Sequence, residues 1–202
     1  MTGSGAGAPS NWIEGCLAAQ SALGRTLDEL LDAEVARRPS RLPGWTVGHV
    51  LTHLARNADS LVWRLEGAAV GEQRDQYPGG LEQRRADIEA GAGRPAAELI
   101  QDVGRSSAAV AEVLATLPVA AWDAPSRSSR GVLEDSRQAL FSRWREVVVH
   151  HGDLGLVDVP LPEALVEAWL PRELPHLAER TDPAYLLAWV IGRADAPTLA
   201  PW

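Results

Sequence analysis

The stretch "RWREVVVHHGDLG", Arg143 to Gly155, admits two readings. Three consecutive β-branched residues, Val147 to Val149, favour a strand. Glu146 and His150 stand four residues apart, which favours one face of a helix. The pattern running into the stretch decides between them. Leu140, Trp144, Val147 and Val148 recur at helical spacing. A long helix from about Leu133 to Val149 follows, with Gly152 and Gly155 where it would end. The valines lower helix propensity a little, and burial can override that.

The same period recurs upstream. Trp12, Cys16, Ala19, Leu23, Leu27, Leu30 and Leu31 mark a helix from about Asn11 to Ala36. Pro39 and Pro43 in "RPSRLPGW" then interrupt the chain. Val50, Leu54, Leu61 and Leu65 mark a second helix from about Val47 to Ala69, with Thr46 as its N-cap and Gly71 as its stop. After the turn "DQYPGG", Leu81 to Ala90 reads as a shorter helical piece. Leu99, Val103, Val110, Val113 and Leu114 give a further long helix from Pro95 to Thr116, with the proline in its first turn. "LPVAAWDAPSRSSRG" is expected as loop. Four long helices with intervening loops predict a mainly α protein built on a four-helix bundle.

Three segments are expected: a disordered tail over 1–10, the bundle over 11–155, and a small C-terminal subdomain over 156–202. In the last, "LGLVDVPLP" is a candidate short strand. "PEALVEAWLPRELPHLAER" is a fifth helix made irregular by Pro171 and Pro175, and "YLLAWVIGR" is a short apolar segment.

Composition narrows the function. The 202 residues are 46% hydrophobic, enough for a real core in one domain with an appendage. The formal net charge of −8 disfavours a nucleic-acid partner, which would need a basic face. No run of 18 apolar residues exists, so no membrane span is expected. "MTGSGAGAPS" lacks the basic and apolar regions of a secretory signal. With one cysteine, Cys16, no internal disulfide framework or cysteine-rich zinc site can form, which fits a cytoplasmic protein. All 19 basic residues are arginine, so lysine Schiff-base chemistry is excluded. Oligomeric state is not legible.

The chemistry-bearing residues are few. Glu146 and His150 share a helix face, and His53 lies among apolar residues of the second long helix. Two imidazoles and a carboxylate form a sound ligand set for zinc or another divalent cation, with positions left open as in a catalytic site. The plainer alternatives stand beside this. Glu146 and His150 could be a surface pair at i, i+4, and His53 a satisfied buried histidine. His49 and His53 are also i, i+4 and form a rival face. His151 points about 100° from His150 on a helix, so both cannot easily serve one metal. His176, between prolines, is expected in solvent. Cys16 falls on an apolar face and reads as a small core residue. Trp12, Trp45, Trp63, Trp144 and Trp169 are expected to pack the core or line a cleft.

"LPGWTVGHVLTHLARNADSL" together with "RWREVVVHHGDLG" resembles the mycothiol-dependent maleylpyruvate isomerase family, a branch of the DinB-like metal-binding bundles. "YPGG", "ADIEAGAGRPAAEL" and "LAWVIGRADAP…PW" add to the likeness, which runs over nearly the whole chain from Asn11. The resemblance implies a DinB-like four-helix bundle holding a divalent metal, usually zinc, on the His of "LTHLARN" and the Glu and His of "REVVVH": here His53, Glu146 and His150. It also implies mycothiol as thiol cosubstrate, presented as thiolate. The thiolate adds to the cis double bond of maleylpyruvate. Rotation about the resulting single bond and expulsion of the thiolate then give fumarylpyruvate. A substrate with two carboxylates calls for an arginine clamp. Arg193 of "IGRAD" is the first candidate and Arg56 and Arg84 are further ones. Asn57, one turn from His53, could orient a ligand or bond within its helix. Asp153 could support His150 or His151 from behind. The chain departs from the family in two places. Only "TDPAY" separates Arg180 from Leu186, so the C-terminal α/β appendage is expected to be short, and Gly152 stands where a larger apolar residue is usual. The alternatives to an isomerase are a mycothiol S-transferase and a non-catalytic bundle that binds metal or a small molecule.

Overall fold

Thr46 opens the helix around which the other helices gather. Its hydroxyl accepts from the His49 backbone N–H, while its own backbone N–H donates to His49 Nδ1, so two donors at the helix start are satisfied reciprocally. In the computed structural model, which describes residues 7–199, this helix is α2, Val47–Ala69. Gly71, at φ +75°, follows it in a left-handed conformation open to glycine. Along α2, Val50, Leu51, Leu54, Leu61 and Leu65 are buried.

Four further helices complete the first unit: α1 Ser10–Leu30, α3 Gly80–Ala92, α4 Ala96–Thr116 and α5 Ser136–Asp153. α2 packs against α3, α4 and α5, and α1 packs against α4 and α5. Leu23 and Leu27 of α1, Leu51 and Leu54 of α2, Leu99 and Val103 of α4, and Val147 of α5 meet in one apolar core. Burial explains why the valine run is helical. Each valine costs at most about 0.7 kcal/mol in propensity. A fully buried one returns about 1.5 kcal/mol or more, and Val147 and Val148 are both buried. A second core zone is aromatic: Phe141 lies 4.9 Å from Trp12 and 6.4 Å from Trp144, centroid to centroid. Gly15 lies where any Cβ would strike the Trp144 indole, so α1 and α5 meet closely there.

Several expectations are corrected. α1 begins at Ser10, inside the segment expected as tail; residues 1–6 lie outside the described ones. It ends at Leu30, six residues before the expected Ala36. The Asp32 carboxylate accepts from the backbone N–H groups of Glu34 and Val35 and starts a separate 3-10 turn, Val35–Arg37. The segment expected as loop before α5 contains an antiparallel hairpin, β1 Pro125–Arg127 with β2 Leu133–Asp135. Leu133 to Asp135 is therefore strand and not helix start. Asp135 instead caps α5 by accepting from the Gln138 N–H. "LGLVDVPLP" forms no strand; its residues run as turn, bend and irregular chain.

Residues 161–202 form a second unit. Its described part is helical: α6 Glu163–Glu173, a 3-10 turn Leu174–His176, α7 Leu177–Arg180 and α8 Pro183–Val190. Pro175 falls inside the 3-10 turn that separates α6 from α7. The α/β character expected of the C-terminal part is absent among the described residues, since both strands belong to the first unit. No described helix is long and apolar enough to cross a membrane.

Candidate metal centre

Three polar side chains meet in the largely apolar seam between α2 and α5. His53, one and a half turns into α2, is 4% exposed, and its Nε2 lies 2.8 Å from Glu146 Oε2. His150, one turn beyond Glu146 on α5, places its own Nε2 3.3 Å from the same oxygen. One ligand atom from each residue lies within 4.8 Å of the other two. The His53 and His150 rings stand edge to face, 4.8 Å apart. In a tetrahedral zinc site with ligand bonds of about 2.1 Å, neighbouring ligand atoms are about 3.4 Å apart. The three side chains are thus gathered to nearly that spacing from two different helices. Two imidazoles and a carboxylate are a donor set that fits zinc or a similar divalent ion.

The protonation pattern follows from the contacts. Burial would raise the Glu146 carboxyl, but hydrogen bonds from His150 and His53 overcome it and hold the group well below the usual carboxylate range. Burial pushes His53 down, so it stays neutral. For His150 burial pulls the same way, but Glu146 and Asp153 together raise it. Asp153 Oδ2 lies 2.8 Å from His150 Nδ1, so the expected supporting carboxylate is realised and belongs to His150.

The other histidines are engaged elsewhere. His49, the rival partner of His53, uses Nδ1 in the cap of α2 and sets Nε2 3.4 Å from Glu89. His151 is buried, with Nε2 2.9 Å from Thr26 Oγ1 of α1. His176 is exposed beside Glu179. Cys16 is buried and its thiol is pushed up to about 11 by burial, which keeps it protonated and unreactive.

The triad opens into a pocket of about 350 Å³, whose wall includes Leu42, Trp45, Tyr77, Leu81, Arg84 and Ser129. Arg84 sends Nη2 to within 3.0 Å of His53 Nδ1 and sets its guanidinium 5.5 Å from the Tyr77 ring. Asn57 is buried and lines the pocket, but its Oδ1 accepts from Arg143 Nη1 at 3.0 Å. Arg143, which the sequence did not single out, is fully buried; it also donates to the Leu54 carbonyl and to Gln20, tying α5 to α2 and α1 behind the triad. Arg56 is not in this pocket. It pairs with Asp59 at 3.0 Å and Asp102 at 2.9 Å. Arg193 lies in the second unit, just past α8, with its backbone N–H on the Ala188 carbonyl.

Ser129 and Gln76 were invisible to sequence reasoning. Ser129 sits in the turn of the hairpin, and its backbone N–H donates to Gln76 Oε1 at 2.8 Å. Arg127 of β1 exchanges backbone hydrogen bonds with Arg74 and Gln76. The hairpin is thereby docked on the α2–α3 connection, and its turn becomes pocket wall. Of the other wall residues, Trp45, Asn57 and Arg84 were candidates from sequence, and Tyr77 lay within the "YPGG" of the family resemblance.

Residues 16–155 match the family described as the mycothiol maleylpyruvate isomerase N-terminal domain. Two solved structures are similar. One is a mycothiol-dependent maleylpyruvate isomerase carrying a histidine-to-alanine substitution, 26% identical, with a TM-score of 0.73 over 78% of this chain and 66% of that one. The other, of the mycothiol-dependent maleylpyruvate isomerase itself, is 22% identical, with a TM-score of 0.76 over 94% of this chain and 91% of its own. This chain thus spans just under two thirds of the first. Among curated proteins, none matches.

Proposed function

The chain belongs to the family of the mycothiol maleylpyruvate isomerase N-terminal domain, and from that premise we propose that it is a zinc-dependent, mycothiol-using enzyme acting on an electrophilic substrate in the manner of a maleylpyruvate isomerase. One observation carries the reading: His53, Glu146 and His150 converge on one point at the edge of a pocket. His53, Glu146 and His150 would hold a zinc ion, which would supply the lowering of a thiol's pKa that makes the nucleophilic thiolate of mycothiol accessible at neutral pH.

The protein's own residues do the rest. Asp153 fixes the His150 ring by accepting from Nδ1–H, which orients Nε2 towards Glu146 and His53. Arg143 and Asn57 hold α5 and α2 in register beneath the triad. Arg84 reaches into the pocket with donors suited to a carboxylate of a short dicarboxylate substrate. Leu42, Trp45 and Leu81 supply apolar wall beside the reacting double bond. Sulfur adds to that bond and the new single bond rotates. The same sulfur then leaves, so the thiol is regenerated and no proton is consumed overall. Arg193, in the second unit, is the other arginine to test for the clamp. A cytoplasmic setting suits a reduced thiol cosubstrate.

S-transfer to another electrophile uses the same thiol activation, and the 66% span of the first structural relative favours testing it in parallel. The experiment is a metal analysis of the purified chain followed by assays with mycothiol, using maleylpyruvate and a bimane electrophile. About one zinc per chain and thiol-dependent isomerisation are expected. Retained metal with no turnover of either electrophile would overturn the enzyme reading.

A further inference from the structure

A second cavity, of about 260 Å³, adjoins the metal pocket in the same unit, and Tyr77 and Arg84 belong to the walls of both. Self-standing sites for drug-sized ligands run from roughly 300 to 1,000 Å³, so the smaller cavity reads as an extension of the metal pocket.

Its lining is unlike that of an ion site. Arg56 is neutralised by Asp59 and Asp102, and Asp87 accepts from Gln83 Nε2 at 2.8 Å. An anion would meet Asp59 and Asp87, and a cation would meet Arg56 and Arg84. What remains is a balanced set of donors and acceptors beside two aromatic rings. A hydroxyl group can donate to a carboxylate and accept from a guanidinium or amide at once, so a ligand with many hydroxyls satisfies both kinds. The aromatic part is fixed before any ligand arrives. Trp63 donates Nε1–H to the Asp75 carbonyl at 3.2 Å, and the Arg74 guanidinium sits 3.8 Å from its ring centroid.

We propose that this second cavity, bounded by Asp59, Trp63, Gln83 and Asp87, binds the polyhydroxylated portion of the thiol cosubstrate while its sulfur lies at the triad. The assignment rests on the thiol reading above. Mycothiol has the required build, a cysteinyl thiol joined by an amide to a neutral, hydroxyl-rich pseudodisaccharide. A short dicarboxylate has no hydroxyl-rich part to place in the second cavity.

The test is calorimetric and independent of turnover. The zinc-loaded full chain is titrated with mycothiol and with a thiol-free fragment, N-acetylglucosaminyl-inositol, whose acylated nitrogen is neutral as in mycothiol. Both titrations are repeated on the double variant Gln83→Ala/Asp87→Ala. Both side chains are exposed on α3 and pair with each other, so removing them together leaves no orphan and should not move the melting temperature. The expected result is at least tenfold weaker binding of both ligands by the double variant. In His53→Ala, mycothiol should fall to the affinity of the fragment, which itself stays unchanged. Mycothiol binding the double variant as tightly as the wild type would overturn the cavity assignment and leave the thiol reading standing. If mycothiol and the fragment bind the wild type equally and both weaken in the double variant, the cavity assignment holds and the thiol reading falls.

Discussion

Arg84 Nη2 stands 3.0 Å from His53 Nδ1, on the side of the ring opposite the triad. A guanidinium only donates, so Nδ1 must offer its lone pair, and the ring proton lies on Nε2, shared with Glu146. A metal taken by Nε2 needs that proton on Nδ1, where Arg84 then has no acceptor. Metal ligation and the Arg84–His53 contact are therefore mutually exclusive, and loading the site frees a guanidinium in the substrate pocket. Arg84→Met should tighten zinc binding, by up to about tenfold if one hydrogen bond of roughly 1.4 kcal/mol is at stake, and should raise KM for a dicarboxylate substrate. Competition with a zinc chelator measures the first effect. Weaker zinc binding in the variant would show that Arg84 supports the ligand and does not compete with it.

Removing the metal should not unfold the protein. Glu146 already has two imidazole partners on the chain, so chelation leaves no lone buried charge. We expect only the stabilisation that follows from ligand mass action to be lost, with circular dichroism unchanged after dialysis against chelator. His53→Ala should abolish stoichiometric zinc while keeping the helical spectrum. Zinc surviving that substitution at one per chain would refute the ligand set.

Asp153, 2.8 Å from His150 Nδ1, would act on a bound metal only through that histidine. Partners of this kind typically contribute 10- to 100-fold in metal affinity. Asp153→Ala is expected to weaken zinc binding within that range and Asp153→Glu to recover part of it. An affinity unchanged by the alanine would make Asp153 a helix-end turn residue only.

The limits of the sequence reading have physical causes. α2 and its cap were legible because Thr46, the apolar period and Gly71 are all local signals. The triad was legible as a set of residue types, since Glu146 and His150 share a face under either outcome of the valine run. What joined them to His53 was family resemblance. The hairpin escaped notice because "PSR" and "LED" are polar three-residue strands, held by Gln76, more than 40 residues away in the chain. The early end of α1 turned on one carboxylate, Asp32, whose choice of backbone N–H groups leaves no periodic trace. Arg143 was hidden by its charge, because a fully buried arginine contradicts the usual rule and is tolerated only where carbonyl and amide oxygens meet it.

Asp102 should give the protein an acid-sensitive step unrelated to the metal. Its buried carboxylate meets Arg105 at 2.6 Å, Arg94 at 2.7 Å and Arg56 at 2.9 Å. Burial alone would raise its pKa, but the arginines outweigh this and hold it below the usual carboxylate value. A depressed folded-state pKa means stability that is fully present above the unfolded value, near 3.9, and that is lost as pH falls through the folded value. Asp102→Asn should therefore cost about 2 kcal/mol at pH 7 and flatten the decline in stability below about pH 5. Urea midpoints across a pH series measure both. A variant whose acid limb runs parallel to the wild type would assign the acid sensitivity to other carboxylates.

Two helical glycines should respond in opposite directions to the same change. A Cβ on Gly48 would run into the Ala92 carbonyl oxygen, where α2 and the end of α3 meet. Backbone there cannot give way as a side-chain tip can, so Gly48→Ala is expected to destabilise by about 1–3 kcal/mol. Gly104 is exposed within α4, with nothing within 4 Å of its would-be Cβ. Gly104→Ala only removes freedom from the unfolded chain and improves helix propensity, so a gain of about 0.5–1 kcal/mol is expected. Thermal or urea unfolding of the two variants beside the wild type separates the effects. Gly48 lies five residues before His53 on the same helix, so its variant should also weaken zinc binding, whereas Gly104→Ala should leave it unchanged. A Gly48→Ala protein as stable as the wild type would mean that α3 can shift away from α2 without penalty, and the close approach of these helices would then not position the metal pocket.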